Sequence, residues 1–147
     1  MEAQADGVCS ISRLRVRYAE TDQMGVAYHS HYLVWCEVGR TDLIRSLGSP
    51  YRELEAEGVA LAVVDVAVRY HSAARYDDLV RVETRIGQVR SRSVSFDYRI
   101  VREEPLPERL LATATTQLMA LDRAGAPRTL PAEVTERLLA ARGSTAS

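Results

Sequence analysis

The stretch Arg15–Trp35, RVRYAETDQMGVAYHSHYLVW, changes its hydrophobic period halfway along. On its upstream side Leu14, Val16 and Tyr18 alternate with Arg13, Arg15 and Arg17, which predicts a half-buried strand over 13–18. On its downstream side Ser30 stands where an N-cap belongs. Tyr32, Cys36, Gly39, Leu43 and Leu47 then follow at helical spacing, with Gly48 as the stop. The helix so predicted runs for about 18 residues, or about 27 Å. Gly39 inside it costs about 1 kcal/mol against Ala, and a close approach of a sheet would account for its presence. Between strand and helix lies a short loop that holds Glu20, Asp22, Gly25, Tyr28 and His29.

Working outward, SPYRELEAEG (49–58) reads as a short helix or turn, and VALAVVDVAVRYH opens a long strand that SAARYDD breaks. Residues 79–89 alternate with Val80, Val82, Thr84 and Ile86 inward; residues 93–101 alternate with Val94, Phe96, Tyr98 and Ile100 inward. REEPLPE is a turn, 109–121 a last long strand, and Pro131 opens a terminal helix over about 131–141. GSTAS reads as a frayed tail. Short connections favour antiparallel neighbours. One helix on one face of such a sheet is an α+β architecture.

The chain has 147 residues, enough for one domain with its own core, and 46% of them are hydrophobic. A net charge of −1 supplies no overall pull toward nucleic acid or an anionic membrane. All 19 basic residues are Arg, so no Lys is present to form a Schiff base. Cys9 and Cys36 form neither a CxxC motif nor a disulfide framework. The N-terminal MEAQADGVCS has no apolar core of a signal peptide, and no apolar run approaches a membrane span of about 18 residues. The expectation is a cytoplasmic protein without membrane insertion.

Asp22 is the sharpest chemical candidate. It precedes Gly25, which tolerates backbone conformations other residues avoid, and it lies just before a helix start. Free N–H groups there carry partial positive charge and suit a developing oxyanion. A carboxylate facing that spot attacks a carbonyl or deprotonates a water. A thiol leaving group, with a pKa of about 8.5, departs without a strong general acid, whereas an amine needs one. One carboxylate and one oxyanion site are therefore machinery for thioesters. The competing reading of Asp22 is a turn or capping residue. His29, Ser30 and His31 invite a metal reading, but only His71 remains as a further His, with no ligand spacing around it.

RYAETDQMGVAYHSHYLVWCEVGR closely resembles the active-site segment of the 4-hydroxybenzoyl-CoA thioesterase family, in its YbgC-like acyl-CoA thioesterase branch. Tyr18, Asp22, Gly25, Tyr28, His29, Tyr32, Glu37 and Arg40 stand in register with that pattern. VRYHSAARYDDLVRVETRI matches a second family segment, with Ser72 where a Pro often stands. The resemblance runs from about residue 13 to 131. It implies a hotdog fold: an antiparallel five-stranded sheet wrapped around one long helix, with a small C-terminal helix. Residues 1–12 would be a partly disordered lead-in, 13–141 the domain and 142–147 a flexible tail.

The resemblance further implies an acyl-CoA thioesterase that needs no cofactor or metal, coenzyme A being part of the substrate. It implies a homodimer with active sites at the subunit interface, often paired into a homotetramer. Asp22 would be nucleophile or general base. His29 would offer its backbone N–H to the thioester carbonyl, and Tyr18 and the His29 side chain would line the site. Gly25, Tyr28 and Tyr32 belong to the binding set, with Glu37 as an orienting or ion-pair partner, its natural mate being Arg40 at i+3. Arg90 and Arg92 are candidates for the coenzyme A phosphates. Asp77 and Asp78 read as turn residues. The alternatives are an acyl carrier protein substrate, a non-catalytic acyl-CoA-binding or scaffold protein, and a hotdog hydratase. The hydratase pairing of Asp with a His five positions on fails here, because that position is Ala27.

Overall fold

The computed structural model of the protein describes residues 7–48 and 50–143. Its elements are β1 (Ser10–Arg15), α1 (His31–Ser46), α2 (Pro50–Ala56), β2 (Ala60–Tyr70), β3 (Leu79–Val89), β4 (Ser93–Glu104), β5 (Arg109–Leu121) and α3 (Ala132–Arg142). The five strands make one sheet in the order β1-β3-β4-β5-β2, and every neighbouring pair is antiparallel. This is the hotdog arrangement, with α1 lying mainly over β3 and β1.

The alternation in β3 and β4 sets which face receives the helix. Val80, Val82, Thr84 and Ile86 are buried, as are Val94, Phe96, Tyr98 and Ile100. From α1 the sheet receives Tyr32, Cys36, Gly39 and Leu43, the face its spacing predicts. Trp35, Arg40 and Ile44 widen that stripe. Leu47 is only partly buried against it.

Gly39 shows why the helix sits so close. A Cβ built there would meet the Thr84 hydroxyl and lie 2.9 Å from Cγ1 of Val82. Any larger residue would lift α1 off β3.

Some boundaries differ from the sequence reading. β1 starts at Ser10, three residues before the expected domain start at 13, because Ser10, Ile11 and Ser12 pair with Thr84, Glu83 and Val82. It also ends at Arg15. The expected continuation to Tyr18 is replaced by a 3-10 turn, Tyr18–Glu20, which leaves Tyr18 77% exposed. Ser30 is itself helical (φ −69°, ψ −22°), and its side chain caps nothing. The helix is instead entered through i→i−3 bonds, beginning with the His31 N–H to the Tyr28 carbonyl at 3.0 Å. α3 runs one residue into the expected tail. Residues 1–6 of the lead-in and 144–147 of the tail lie outside the described residues.

The two sheet edges are unlike. β1 is six residues long and presents Arg13 and Arg15. β2 has eleven residues, pairs as a strand with β5 alone among the described residues, and exposes Val63, Val64 and Val66. Among the described residues no helix is long and apolar enough to cross a membrane.

The Gly39 contact makes a stability prediction. Gly39→Ala gains helix propensity, yet the overpacking against β3 should cost about 1–3 kcal/mol. The Thr84 hydroxyl is buried without a hydrogen-bond partner, so Thr84→Ala added to Gly39→Ala should recover much of that loss. Urea midpoints of the two single variants and the double variant check this.

Candidate active site

The loop before α1 is built around a buried carboxylate. Glu20 is 4% exposed. Its Oε1 accepts the Arg17 N–H at 2.8 Å, which closes the 3-10 turn, and its Oε2 accepts the Trp35 indole N–H at 3.1 Å from within α1. Its backbone carbonyl accepts the Tyr28 N–H at 2.8 Å. Burial by itself would raise the Glu20 pKa. The Arg17 N–H, the Trp35 indole, and the charges of Arg17 and His31 outweigh that, and hold the carboxyl below its ordinary value.

The loop then folds back as a small hairpin. Thr21 bridges Ala27, and Val26 bridges Arg75. The Ala27 N–H bonds the Ala74 carbonyl at 2.8 Å, which pins the hairpin to the turn after β2. Gly25, at φ +80°, makes the reversal possible.

Asp22 sits in the hairpin turn, half-buried. Its Oδ1 accepts N–H groups from Met24 at 2.8 Å and Val26 at 3.4 Å. Its Oδ2 has no hydrogen-bond partner among the described residues. The turn role read from the sequence thus falls on Oδ1 alone. Seven residues on, the His29 N–H has no acceptor among the described residues.

Next to it opens a cleft of about 300 Å³ lined by Ala27, His29, Tyr32, Tyr70, His71, Ser72 and Ala73. Tyr32 is buried, and its hydroxyl accepts the Ala74 N–H at 3.0 Å. The Tyr70 ring meets Tyr32 edge-on, with centroids 5.1 Å apart, and the Tyr70 hydroxyl donates to the His29 carbonyl at 2.9 Å. Burial raises both phenols above their ordinary pKa, so both are neutral at pH 7.

Not every expected site residue gathers here. His29 and Tyr32 line the cleft, the Tyr28 ring packs on that of His29 at 4.4 Å, and Asp22 and Gly25 occupy the adjoining hairpin. Asp22 is not itself among the lining residues of the single chain. The Tyr18 ring packs edge-on against Tyr76, 5.8 Å away.

Glu37 and Arg40 do not pair. Arg40 turns inward to the Tyr98 hydroxyl at 3.2 Å, while Glu37 faces out, in a groove with Val34, Val38, Thr41, Asp42 and Arg45. The i+3 spacing placed them one turn apart, but the core claims one and solvent the other. Arg90 and Arg92 lie at the β3–β4 turn; Arg90 bonds Gln88 and lines a separate groove of about 430 Å³. No metal-holding cluster of three or more His, Cys, Asp or Glu side chains occurs among the described residues.

Two contributors escaped the sequence reading. Glu20 looked like one more loop carboxylate, because nothing local reveals that Trp35 reaches back to it. Tyr70 read only as part of a long strand and of the second family-like segment, with no site role.

The model of the thioesterase-like superfamily matches residues 16–138. The chain is 35% identical over 122 residues to the acyl-CoA thioester hydrolase YbgC of Escherichia coli O6:H1, a match covering 82% of this chain and 89% of that protein. It is 44% identical over 91 residues to a Bacillus subtilis protein named "Putative acyl-CoA thioesterase YneP", 62% of this chain and 66% of that one, just under two thirds of its length. Among solved structures it superposes on the hypothetical protein TT1821 of Thermus thermophilus with a TM-score of 0.79 and 37% identity, covering 88% of this chain and 96% of that chain. The chain belongs to the thioesterase-like superfamily, as a hotdog-fold thioester hydrolase.

Glu20 supports a test of the loop's construction. Glu20→Ala strands the Arg17 N–H and the buried Trp35 N–H and should cost about 1–3 kcal/mol. A carboxyl with a lowered folded pKa adds stability above its unfolded value near 4.3, and that stability is lost as pH falls through the folded value. Glu20→Gln should therefore flatten part of the acid limb of a stability-against-pH curve, measured by urea unfolding between about pH 3 and 6.

Proposed function

We propose that the protein hydrolyses acyl-CoA thioesters to a free acid and coenzyme A at the junction of the hairpin loop and α1. The observation that carries this reading is the division of labour within Asp22. One oxygen is held by two backbone N–H groups, and the other is left for chemistry, at the start of a helix whose His29 N–H is unengaged. Oδ2 either takes the proton of the attacking water, or attacks the thioester carbonyl itself to form an anhydride that water then hydrolyses to the free acid and the restored carboxylate. The His29 N–H receives the developing oxyanion. Thiolate departs without a strong proton donor, because its conjugate acid is acidic at about pH 8.5. The names of the relatives YbgC and YneP support the same substrate class.

The working unit in this reading is a homodimer. β2 leaves a full row of edge N–H and C=O groups unpaired beside exposed Val63, Val64 and Val66, and a second copy supplies the matching edge. It also walls the cleft that a single chain leaves open and brings substrate-facing groups to Asp22. Leu33, Val34 and Val38 expose a further apolar strip on α1, a face for pairing dimers into a homotetramer. Tyr18, Gly25, Tyr28, Tyr32 and Glu37 complete the substrate surface in that assembly. Arg90 and Arg92, both exposed, take the coenzyme A phosphates. The substrate is a soluble metabolite, and the site of action is the cytoplasm.

Asp22→Asn tests the chemistry cleanly. Asn keeps a carbonyl oxygen for the Met24 and Val26 N–H groups, so the turn survives while the charge is lost. Thiol release from a panel of acyl-CoAs, acetyl through palmitoyl plus benzoyl, should fall by about 100-fold or more, in line with loss of a nucleophile or general base. Full activity in this variant would sink the mechanism. Val66→Arg tests the assembly: light scattering should find monomers, and thiol release should be lost with the dimer.

A further inference from the structure

Tyr70 ends β2, and the ring-to-ring contact with Tyr32 sets it against the start of α1. Its hydroxyl crosses from the edge strand to the helix entry and donates to the His29 carbonyl at 2.9 Å. Nothing about strand structure calls for that bond. The carbonyl already receives the Tyr32 N–H, but only at 3.4 Å. His29 therefore stands between two anchored peptides. The Tyr28 carbonyl on one side is held by the His31 N–H at 3.0 Å, and the His29 carbonyl on the other by Tyr70. The His29 N–H lies in the first of these peptide planes and the Ser30 N–H in the second, and neither has an acceptor among the described residues.

A donor of this kind works only if its direction is set before substrate arrives, because reorientation during the reaction would forfeit its electrostatic gain. Main-chain bonds of α1 hold the first plane. The second is held from the main chain only by the long 3.4 Å bond from the Tyr32 N–H, so the Tyr70 hydroxyl is its closer partner among the described residues.

From this we infer that Tyr70 is a positioning residue: through the His29 carbonyl it fixes the backbone that presents the His29 N–H to the thioester oxygen. This rests on the acyl-CoA thioesterase reading above. Tyr70 is a neutral donor at working pH, so its grip does not vary across the neutral range. Because it belongs to β2, the strand with the open edge, the direction of the oxyanion donor is tied to the element that a second copy would clamp.

The experiment uses the full-length purified protein and compares wild type with Tyr70→Phe and Tyr70→Leu. Tyr70→Phe keeps the edge-on ring contact and removes only the hydroxyl. Steady-state thiol release on the best acyl-CoA should show kcat reduced about tenfold, the kinetic equivalent of one hydrogen bond, with KM within about twofold. Tyr70→Leu should lose kcat similarly and also raise KM, since a cleft wall goes with the ring. Unchanged kcat in Tyr70→Phe overturns the inference. So does a rise in KM at constant kcat, which would make Tyr70 a simple binding contact. The carbonyl ¹³C shift of His29, read by NMR in the same proteins, needs no activity. It should move upfield in Tyr70→Phe, and an unmoved shift overturns the inference as well. Wild type inactive on every acyl-CoA overturns the thioesterase reading instead, and the carbonyl shift then still decides whether Tyr70 holds this peptide.

Discussion

The buried Glu20 carboxylate is the point on which the front of the molecule hangs. A charge removed from water must be met by donors or opposite charge, and here two residues supply them: Arg17 through its backbone N–H and its guanidinium at 3.6 Å, and Trp35 through its indole N–H. Trp35 is itself 1% exposed in the heart of α1. The strand exit, the loop and the helix are thereby locked to one another through a single side chain. Asp22, Gly25 and His29 inherit their positions from that lock, since the Tyr28 N–H is tied to the Glu20 carbonyl.

Behind this lies the seating of α1 on the sheet. Gly39 lets the helix approach β3 without an intervening side chain, and the long strands β3 and β4 offer a largely apolar face, broken by the Thr84 and Tyr98 hydroxyls, to meet it. Close seating matters for the proposed site because the oxyanion donor proposed there lies at the helix start, not the helix middle. A helix raised by one methyl group would carry its N-terminus away from the hairpin that holds Asp22. Gly39 and His29 are ten residues apart in the chain, and His29 leads into α1 through the turn bonds at Tyr28 and Ser30.

Much of this was legible in the linear sequence, for physical reasons that differ by element. The inward faces of β3 and β4 are strict alternations, and a period of two allows only one assignment once one face is buried. The helix stripe at 32, 36, 39 and 43 is equally constrained. The asymmetry of Asp22 was half legible: its turn role was visible, but not that one oxygen alone would take both backbone N–H groups. Contacts that leave the local chain were not. Tyr18 looked inward by parity, yet the Glu20 carboxylate captures the Arg17 N–H and bends the strand away before it. Glu37 and Arg40 had ion-pair spacing, but Tyr98, from β4, offered Arg40 a partner inside. Tyr70 and His29 lie forty-one residues apart, and no local pattern announces a bond at that separation.

The unequal sheet edges bear on how far assembly proceeds. A growing fibril needs two edges that each accept a neighbour, so that every added chain leaves a fresh one open. Here the β1 edge is short and carries guanidinium groups, with Arg13 already bound to Glu103, while the β2 edge is long and apolar. Two copies joined through β2 consume both receptive edges and expose only β1 at either end. In the proposed homodimer the strand that joins the two copies would thus also end their association, through the unlike character of the two sheet edges.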